Sequence, residues 1–270
     1  MADLAPQSFA KQLHLQGLRE QLGYAILPFV GPAVVLALWG LVTELGLASP
    51  LLMPPPGKAF ARLADLLWSG DLLPDFRASL WRWTTGYASG CLIGVPLGLL
   101  LGTSTAIYRA SFSLIDFFRS LPVTALFPLF LLLFGIGDNS KIAMAFAATV
   151  FVVILNSAYG VVQAQKTRIR AARVFGASSW QVFKWVTFFE ALPATLVGMR
   201  TSLSLALIAV IVSEMFIGTQ KGLGQRVFDA YTVNLTVDLY AVLLFCGFLG
   251  YLVNRLFVVL EKRVVFWTGQ

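Results

Sequence analysis

Apolar residues fall along this chain in six long runs, about Tyr24–Gly46, Ser79–Gly102, Ile107–Leu133, Lys141–Val162, Ala194–Ile217 and Leu239–Leu260, with polar residues gathered between them. Each run is roughly twenty residues, the length a helix needs to cross a hydrocarbon core. That length, and a content rich in Leu, Ala, Phe and Gly, predicts helices rather than the alternating strands of a membrane barrel. The pattern predicts an all-α polytopic membrane protein with six transmembrane helices: one membrane domain over residues 23–265, preceded by an N-terminal tail, residues 1–22. The tail carries Asp3, Lys11, His14, Arg19 and Glu20 and lacks the short apolar core and small-residue site of a cleaved signal peptide. The first run is therefore expected to direct insertion. Phe9, Leu13, Leu18 and Leu22 could line one side of a surface helix, with a loosely ordered tail as the equal alternative.

Charge is sparse and unevenly placed. Hydrophobic residues make up 58% of the chain and charged ones 12%, about half the charged share of a soluble domain. Threading the runs with the N-terminus inside places Lys11, Arg19, Arg109, Lys166, Arg168, Arg170, Arg173, Lys184, Lys262 and Arg263 on the cytoplasmic face. The opposite face receives Lys58, Arg62, Arg77, Lys141, Lys221 and Arg226, offset by Asp65, Asp71, Asp75, Asp138, Asp229 and Asp238. Basic residues near span ends favour the cytoplasm, so both termini are expected inside a bacterial cytoplasmic (inner) membrane. The net charge of +7 needs only lipid headgroups as a partner, and nothing points to nucleic acid. Cys91 and Cys246 fall inside runs, without disulfide or metal-site spacing, and read as small apolar residues.

Several features interrupt the apolar pattern. Leu51-Leu52-Met53-Pro54-Pro55-Pro56-Gly57 is stiff and extended because its prolines bar a helix. Lys58–Trp68 then carries Phe60, Leu63, Ala64 and Leu67 at helical spacing, which predicts a short amphipathic helix on the outer surface, ended by Ser69-Gly70-Asp71. The second run places Gly86, Gly90, Gly94, Gly98 and Gly102 at four-residue intervals, a ridge that lets another helix approach closely; Pro96 should bend the same helix. In the third run Asp116, Arg119, Ser120, Pro122, Thr124 and Pro128 predict a kink or break near Leu121-Pro122. A mid-membrane Arg costs at least about 2.5–3.5 kcal/mol on insertion scales. Arg119 must therefore be paired, wet or near an interface, and Asp116, one turn back, is the nearest partner. Asn156 in the fourth run and Ser213 and Glu214 in the fifth pose the same question. A polar contact between helices and a place on a solute pathway are both open for each. Arg119, Ser120, Thr124, Asn156, Ser213 and Glu214 are the candidate pathway residues.

From Lys166 to Pro193 the chain is polar and basic, far longer than the few residues needed to turn between spans. Arg168–Val186 predicts two short helices. The first, near Ile169–Phe175, presents Ala171 and Ala172 as a small-residue face. Gly176 permits a left-handed turn, and Ser178 or Ser179 can cap a second helix, Trp180–Phe188, that leads through Glu190-Ala191-Leu192-Pro193 into the fifth run.

Here the chain resembles the permease subunits of ATP-binding-cassette importers, of the group that takes up nitrate, taurine and other sulfonates. That family's loop reads Glu-Ala-Ala, three residues, Gly, then a hydrophobic position and a Leu-Pro. Ala171, Ala172 and Gly176 match it, followed by Ala177-Ser178, Trp180-Gln181, Val186 and Leu192-Pro193. Leu52-Met53-Pro54-Pro55-Pro56, Gly94-Val95-Pro96-Leu97-Gly98, Arg119-Ser120-Leu121-Pro122, Phe134-Gly135-Ile136-Gly137 and Gly222-Leu223-Gly224 match in the family's order, over about residues 50–265. Two departures stand out. Arg170 occupies the position of the family's Glu, and Phe188-Phe189-Glu190 replaces a first Leu-Pro. One expectation is that Glu190 supplies the negative charge lost at Arg170.

The resemblance implies a type I (MetI-like) importer fold with a coupling helix, roughly Ala171–Trp180, between the fourth and fifth spans. In that arrangement Arg170, Ala171, Ala172, Gly176, Ala177, Ser178, Trp180 and Glu190 form the ATPase-coupling loop. Two permease copies, an identical pair being the expectation, form the pathway. Two separate ATPase subunits drive it, and an extracytoplasmic binding protein delivers the solute, a small oxyanion such as a sulfonate, taurine, nitrate or bicarbonate. ATP and magnesium belong to the ATPase, leaving this chain without a cofactor. The residues agree: the chain's Gly57-Lys58 is followed by Ala59, so there is no phosphate-binding loop. A self-sufficient carrier or channel is the alternative, with Arg119 and Glu214 serving coupled ions, and the long basic loop stands against it. Enzymatic chemistry is disfavoured because His14 is the only histidine.

Overall fold

The computed structural model describes residues 27–268, residue 28 excepted. The expected surface segment within residues 1–22 and the first residues of the opening run lie outside them. The described residues divide into two compact units, the first ending at Ala61 and the second beginning at Arg62. In the first, helix α1 (Phe29–Glu44) is apolar but shorter than a full span. It ends in a turn where Gly46 takes φ +68°. The Trp39 indole N–H donates to the Pro54 carbonyl at 3.0 Å and so fixes the proline-rich segment. Helix α2 (Pro56–Trp68) opens on a proline, whose preset φ and missing N–H cost nothing in a first turn.

In the second unit α6 (Asp138–Val162) lies between α3 (Leu73–Gly102) and α9 (Phe188–Ile217). Helices α4 (Thr105–Ser120) and α5 (Phe127–Phe134) cross α6, while α10 (Leu223–Thr232) and α11 (Thr236–Val264) pack beside α9. Among the described residues four helices are long and apolar enough to cross a membrane: α3, α6, a continuous helix Ser179–Ile217 that contains α9, and α11. Thr105–Ser120 and Val123–Phe134 form a further apolar pair, bent by 76°. The break falls at Leu121-Pro122, where the proline pattern places it. Leu121 is extended (φ −67°, ψ 131°), as a residue before proline prefers. Helix α3 runs through Pro96 without a break.

The five ridge glycines of α3 all face α6. A Cβ on Gly86 would stand 2.5 Å from the Ala145 Cβ, on Gly90 2.6 Å from the Thr149 Cβ, and on Gly94 3.0 Å from the Val153 Cβ. On Gly98 it would stand 2.5 Å from the Ile154 carbonyl oxygen, and on Gly102 2.6 Å from the Val161 Cβ. The two helices therefore run parallel with their backbones nearly touching. On the other side of α6, Gly160 meets Ala191 and Gly198 admits Asn156, so α9 runs antiparallel. The triangle closes where Trp83 Nε1 donates to the Leu203 carbonyl and the Tyr87 hydroxyl to the Met199 carbonyl, each at 3.1 Å.

A buried ionic knot ties one end of this bundle. The Glu214 carboxylate is fully buried and accepts hydrogen bonds from the Ser79 hydroxyl (2.8 Å), the Gly224 N–H (2.9 Å) and Arg82 Nη1 (2.6 Å). Arg82 also donates to Asp138 Oδ1 (2.8 Å), the Lys221 carbonyl (2.9 Å) and the Thr219 hydroxyl (2.9 Å). Gly222-Leu223-Gly224 wraps the carboxylate so closely that a Cβ on Gly222 would lie 2.6 Å from Glu214 Cδ. Beside it, buried Lys141 donates to the Ile136 and Gly137 carbonyls (3.1 and 3.2 Å), holding the turn between α5 and α6. Arg226–Asp75 and Arg62–Asp238 add pairs at the same end.

Gly98→Ala drives a methyl into α6 backbone, and overpacking of this kind costs about 1–3 kcal/mol. Gly247, with nothing within 4 Å of its Cβ position, should gain up to about 1 kcal/mol from the same change. Thermal unfolding of the two variants in detergent is expected to move in opposite directions. In the knot, Arg82→Ala or Glu214→Ala leaves an unpaired buried charge and should cost about 3–5 kcal/mol. The double variant Arg82→Ala/Glu214→Ala should cost less than the sum of the single losses, which a double-mutant cycle on unfolding free energy would measure.

Candidate functional site

The polar loop folds into a rigid finger. Helix α7 (Lys166–Val174) ends in a paired closing motif: the Gly176 N–H donates to the Arg173 carbonyl (2.9 Å) and the Ala177 N–H to the Ala172 carbonyl (3.1 Å). Gly176 takes φ +83°, the left-handed conformation this closure requires. One residue beyond Ala177, Ser178 opens α8 (Ser179–Val182) with a capping box. Its hydroxyl accepts from the Gln181 N–H (3.3 Å), and the Gln181 side chain accepts from the Ser178 N–H (2.7 Å). The locked tip turns apolar surface outward: Val174 is 85% exposed, Phe175 90% and Trp180 68%. Ala171 is exposed beside them and Ala172 is half-buried.

One sequence expectation is corrected here. The second loop helix is not a separate short element, because α8 continues through a π turn (Phe183–Thr187) into α9 as one helix with Pro193 inside it. No glycine or proline lies between Trp180 and Leu192 to interrupt the backbone, and the wider turn absorbs the extra residue, with the Phe188 N–H reaching back to the Phe183 carbonyl. Glu190 forms an ion pair with Arg168 and none with Arg170. At 3.6 residues per turn the two arginines point about 200° apart around α7, so only one can face α9. The Arg168–Glu190 pair lines a 660 Å³ cavity with Gln165, Trp185, Phe189 and Trp267, whose ring meets Phe189 edge-on at 5.8 Å.

Arg119 sits where α4 breaks and lines two adjoining cavities. One, of 310 Å³, is bounded by Thr124, Pro122, Phe151 and Ala209. The other, of 430 Å³, is bounded by Asp116, Asn156, Tyr108, Tyr159 and Thr201. The Arg119 guanidinium donates to Asp116 Oδ1 through Nη2 (2.7 Å) and Nε (3.1 Å), with both side chains part-exposed. Ser120 donates to its own helix at the Asp116 carbonyl (2.8 Å) and Asn156 to the Val152 carbonyl (2.8 Å). The structure thus gathers Arg119, Thr124 and Asn156 about the cavities. It does not bring Ser213 or Glu214 there. Ser213 is buried and donates to the Val210 carbonyl (2.7 Å), and Glu214 is consumed by the knot. Arg82 and Ser79, which complete that knot, were missed. The signal was present, since an arginine inside the second apolar run carries the same cost as Arg119.

Residues 94–266 match the family described as the binding-protein-dependent transport system inner membrane component. A probable ABC transporter permease protein of Brucella melitensis is 33% identical over 250 residues, covering 91% of this chain and 97% of that protein. The taurine transport system permease protein TauC of Escherichia coli is 31% identical, covering 88% of each chain. In three dimensions, a chain of the MetNI methionine ABC transporter in an inward-facing conformation superposes with a TM-score of 0.59 at 21% identity, over 76% of this chain and 99% of that one. This chain therefore belongs to the binding-protein-dependent transport system inner membrane component family, as a multi-pass permease of the ABC importer type.

Proposed function

We propose that the chain forms half of a pathway for small oxyanions, sulfonates above all, and that the α7–α8 finger is where separate ATPase subunits engage it. The exposed, doubly capped tip at Val174–Phe175 carries this reading, since a turn between spans has no need of a locked aromatic point. In the proposed arrangement residues 23–265 form one membrane domain of six spans, with α1 and the broken α4–α5 pair completing the count and both termini in the cytoplasm. Two copies of the chain meet two ATPase subunits, which bind the ATP and magnesium. An extracytoplasmic binding protein supplies the solute.

Geometry then assigns the work. A locked finger transmits displacement without folding on itself, and the continuous helix from Ser179 to Ile217 carries it into the bundle. The Arg168–Glu190 pair braces α7 against that helix. Within the membrane Arg119 offers a planar fork of donors suited to a sulfonate or nitrate, in cavities of a size for such solutes. The taurine permease of E. coli, similar over most of its length, supports the sulfonate choice.

The test is uptake into proteoliposomes containing the permease, its ATPase and its binding protein. ATP-dependent accumulation of taurine or an alkylsulfonate is expected, and uptake that persists without the ATPase would sink the reading. Arg119→Gln should lower uptake about tenfold or more, the scale of one charge-assisted hydrogen bond, while leaving ATPase retention intact. Gly176→Val forces a β-branched residue into a left-handed conformation, and should reduce retention and uptake together.

A further inference from the structure

The finger carries a charge pattern that the described residues answer only in part. Helix α7 holds Lys166, Arg168, Arg170 and Arg173, and no Asp or Glu occurs from Lys166 to Phe189. Arg168 is met by Glu190. Among the described residues no carboxylate forms an ion pair with Lys166, Arg170 or Arg173. Arg170 and Arg173 are three residues apart on one face of α7, both exposed, one turn before the apolar tip. Like charges at that spacing repel. In water the cost is small, but in a docked interface an unanswered guanidinium is strongly destabilising.

We propose that the ATPase surface receiving this finger is acidic: a groove with an apolar slot for Phe175 and carboxylates facing Arg170 and Arg173. The inference rests on the docking role proposed above and adds the chemistry of the partner. Charge complementarity selects it, because each guanidinium presents a fork that a carboxylate meets with two parallel hydrogen bonds. A lipid surface fits less well. A helix lying on a membrane needs a broad apolar face, whereas Ile169 of α7 is already half-buried and Val174 and Phe175 stand at a tight point rather than along a stripe.

The experiment uses the full-length permease purified with its ATPase subunits and compares retention of the ATPase across variants and salt concentrations. Arg170→Glu/Arg173→Glu should weaken retention at least tenfold, and a Glu→Lys or Asp→Lys change at a groove carboxylate of the ATPase should restore it. Wild-type retention should fall with added salt, and Phe175→Ala should weaken it without changing that dependence. If Phe175→Ala releases the ATPase but the charge reversal does not, the acidic groove is overturned and docking stands. If neither variant has an effect, docking at this finger is itself overturned. If the reversal leaves retention intact and instead removes a dependence of activity on phosphatidylglycerol in the vesicles, the cations serve lipid and the proposal falls.

Discussion

In a bilayer, lipid tails cover apolar surface as well as protein does, so helices hold together only where their atoms approach more closely than lipid can, or where polar groups meet. Helix α3 achieves that approach against α6 by giving up side chains at five glycines in register along the shared edge. The position of α6 is thereby set, and α9 takes its place on the opposite side through Gly160 and Gly198. The remaining helices of the second unit pack on this three-helix core. The cavities at Arg119 are the space left between its α6–α9 face and the broken α4–α5 pair.

The two ends of the core are finished differently. At one, Glu214, Arg82 and Asp138 join three helices and the following turn in a network that satisfies the buried charges. Buried ions are tolerated only under such full satisfaction, so this end is tied to a single arrangement. At the other, α6 gives way to a finger held by its own caps and by one bridge, Arg168–Glu190. Its apolar tip is left to solvent. A bundle tied at one end and carrying a self-capped finger at the other suits the motor-driven role proposed above.

The broken third run shows the same economy of cause. Pro122 cannot donate to a helix and forces Leu121 extended, and Arg119 stands at the break, at a cavity edge beside Asp116.

Much of this was legible in the residues alone. The apolar runs, the glycine ridge, the break at Leu121-Pro122, the turn at Gly176 and the cap at Ser178 are decided by neighbours within a few positions, where chain stereochemistry and helical period act directly. The placement of charges was not. Glu214 and Ser213 read as pathway candidates until α3 brought Arg82 and Ser79 across from residues far away in sequence. The pairing of Glu190 with Arg168 was not legible, because it depends on how α7 is rotated against α9. The second loop helix seemed to stop short of α9 because a π turn leaves no mark in hydropathy. Local pattern determined which segments are helices and where the chain breaks or turns between most of them. Which faces meet, and therefore which ions are neutralised and which are left for a partner, was decided only when close packing fixed how far each helix is turned about its axis.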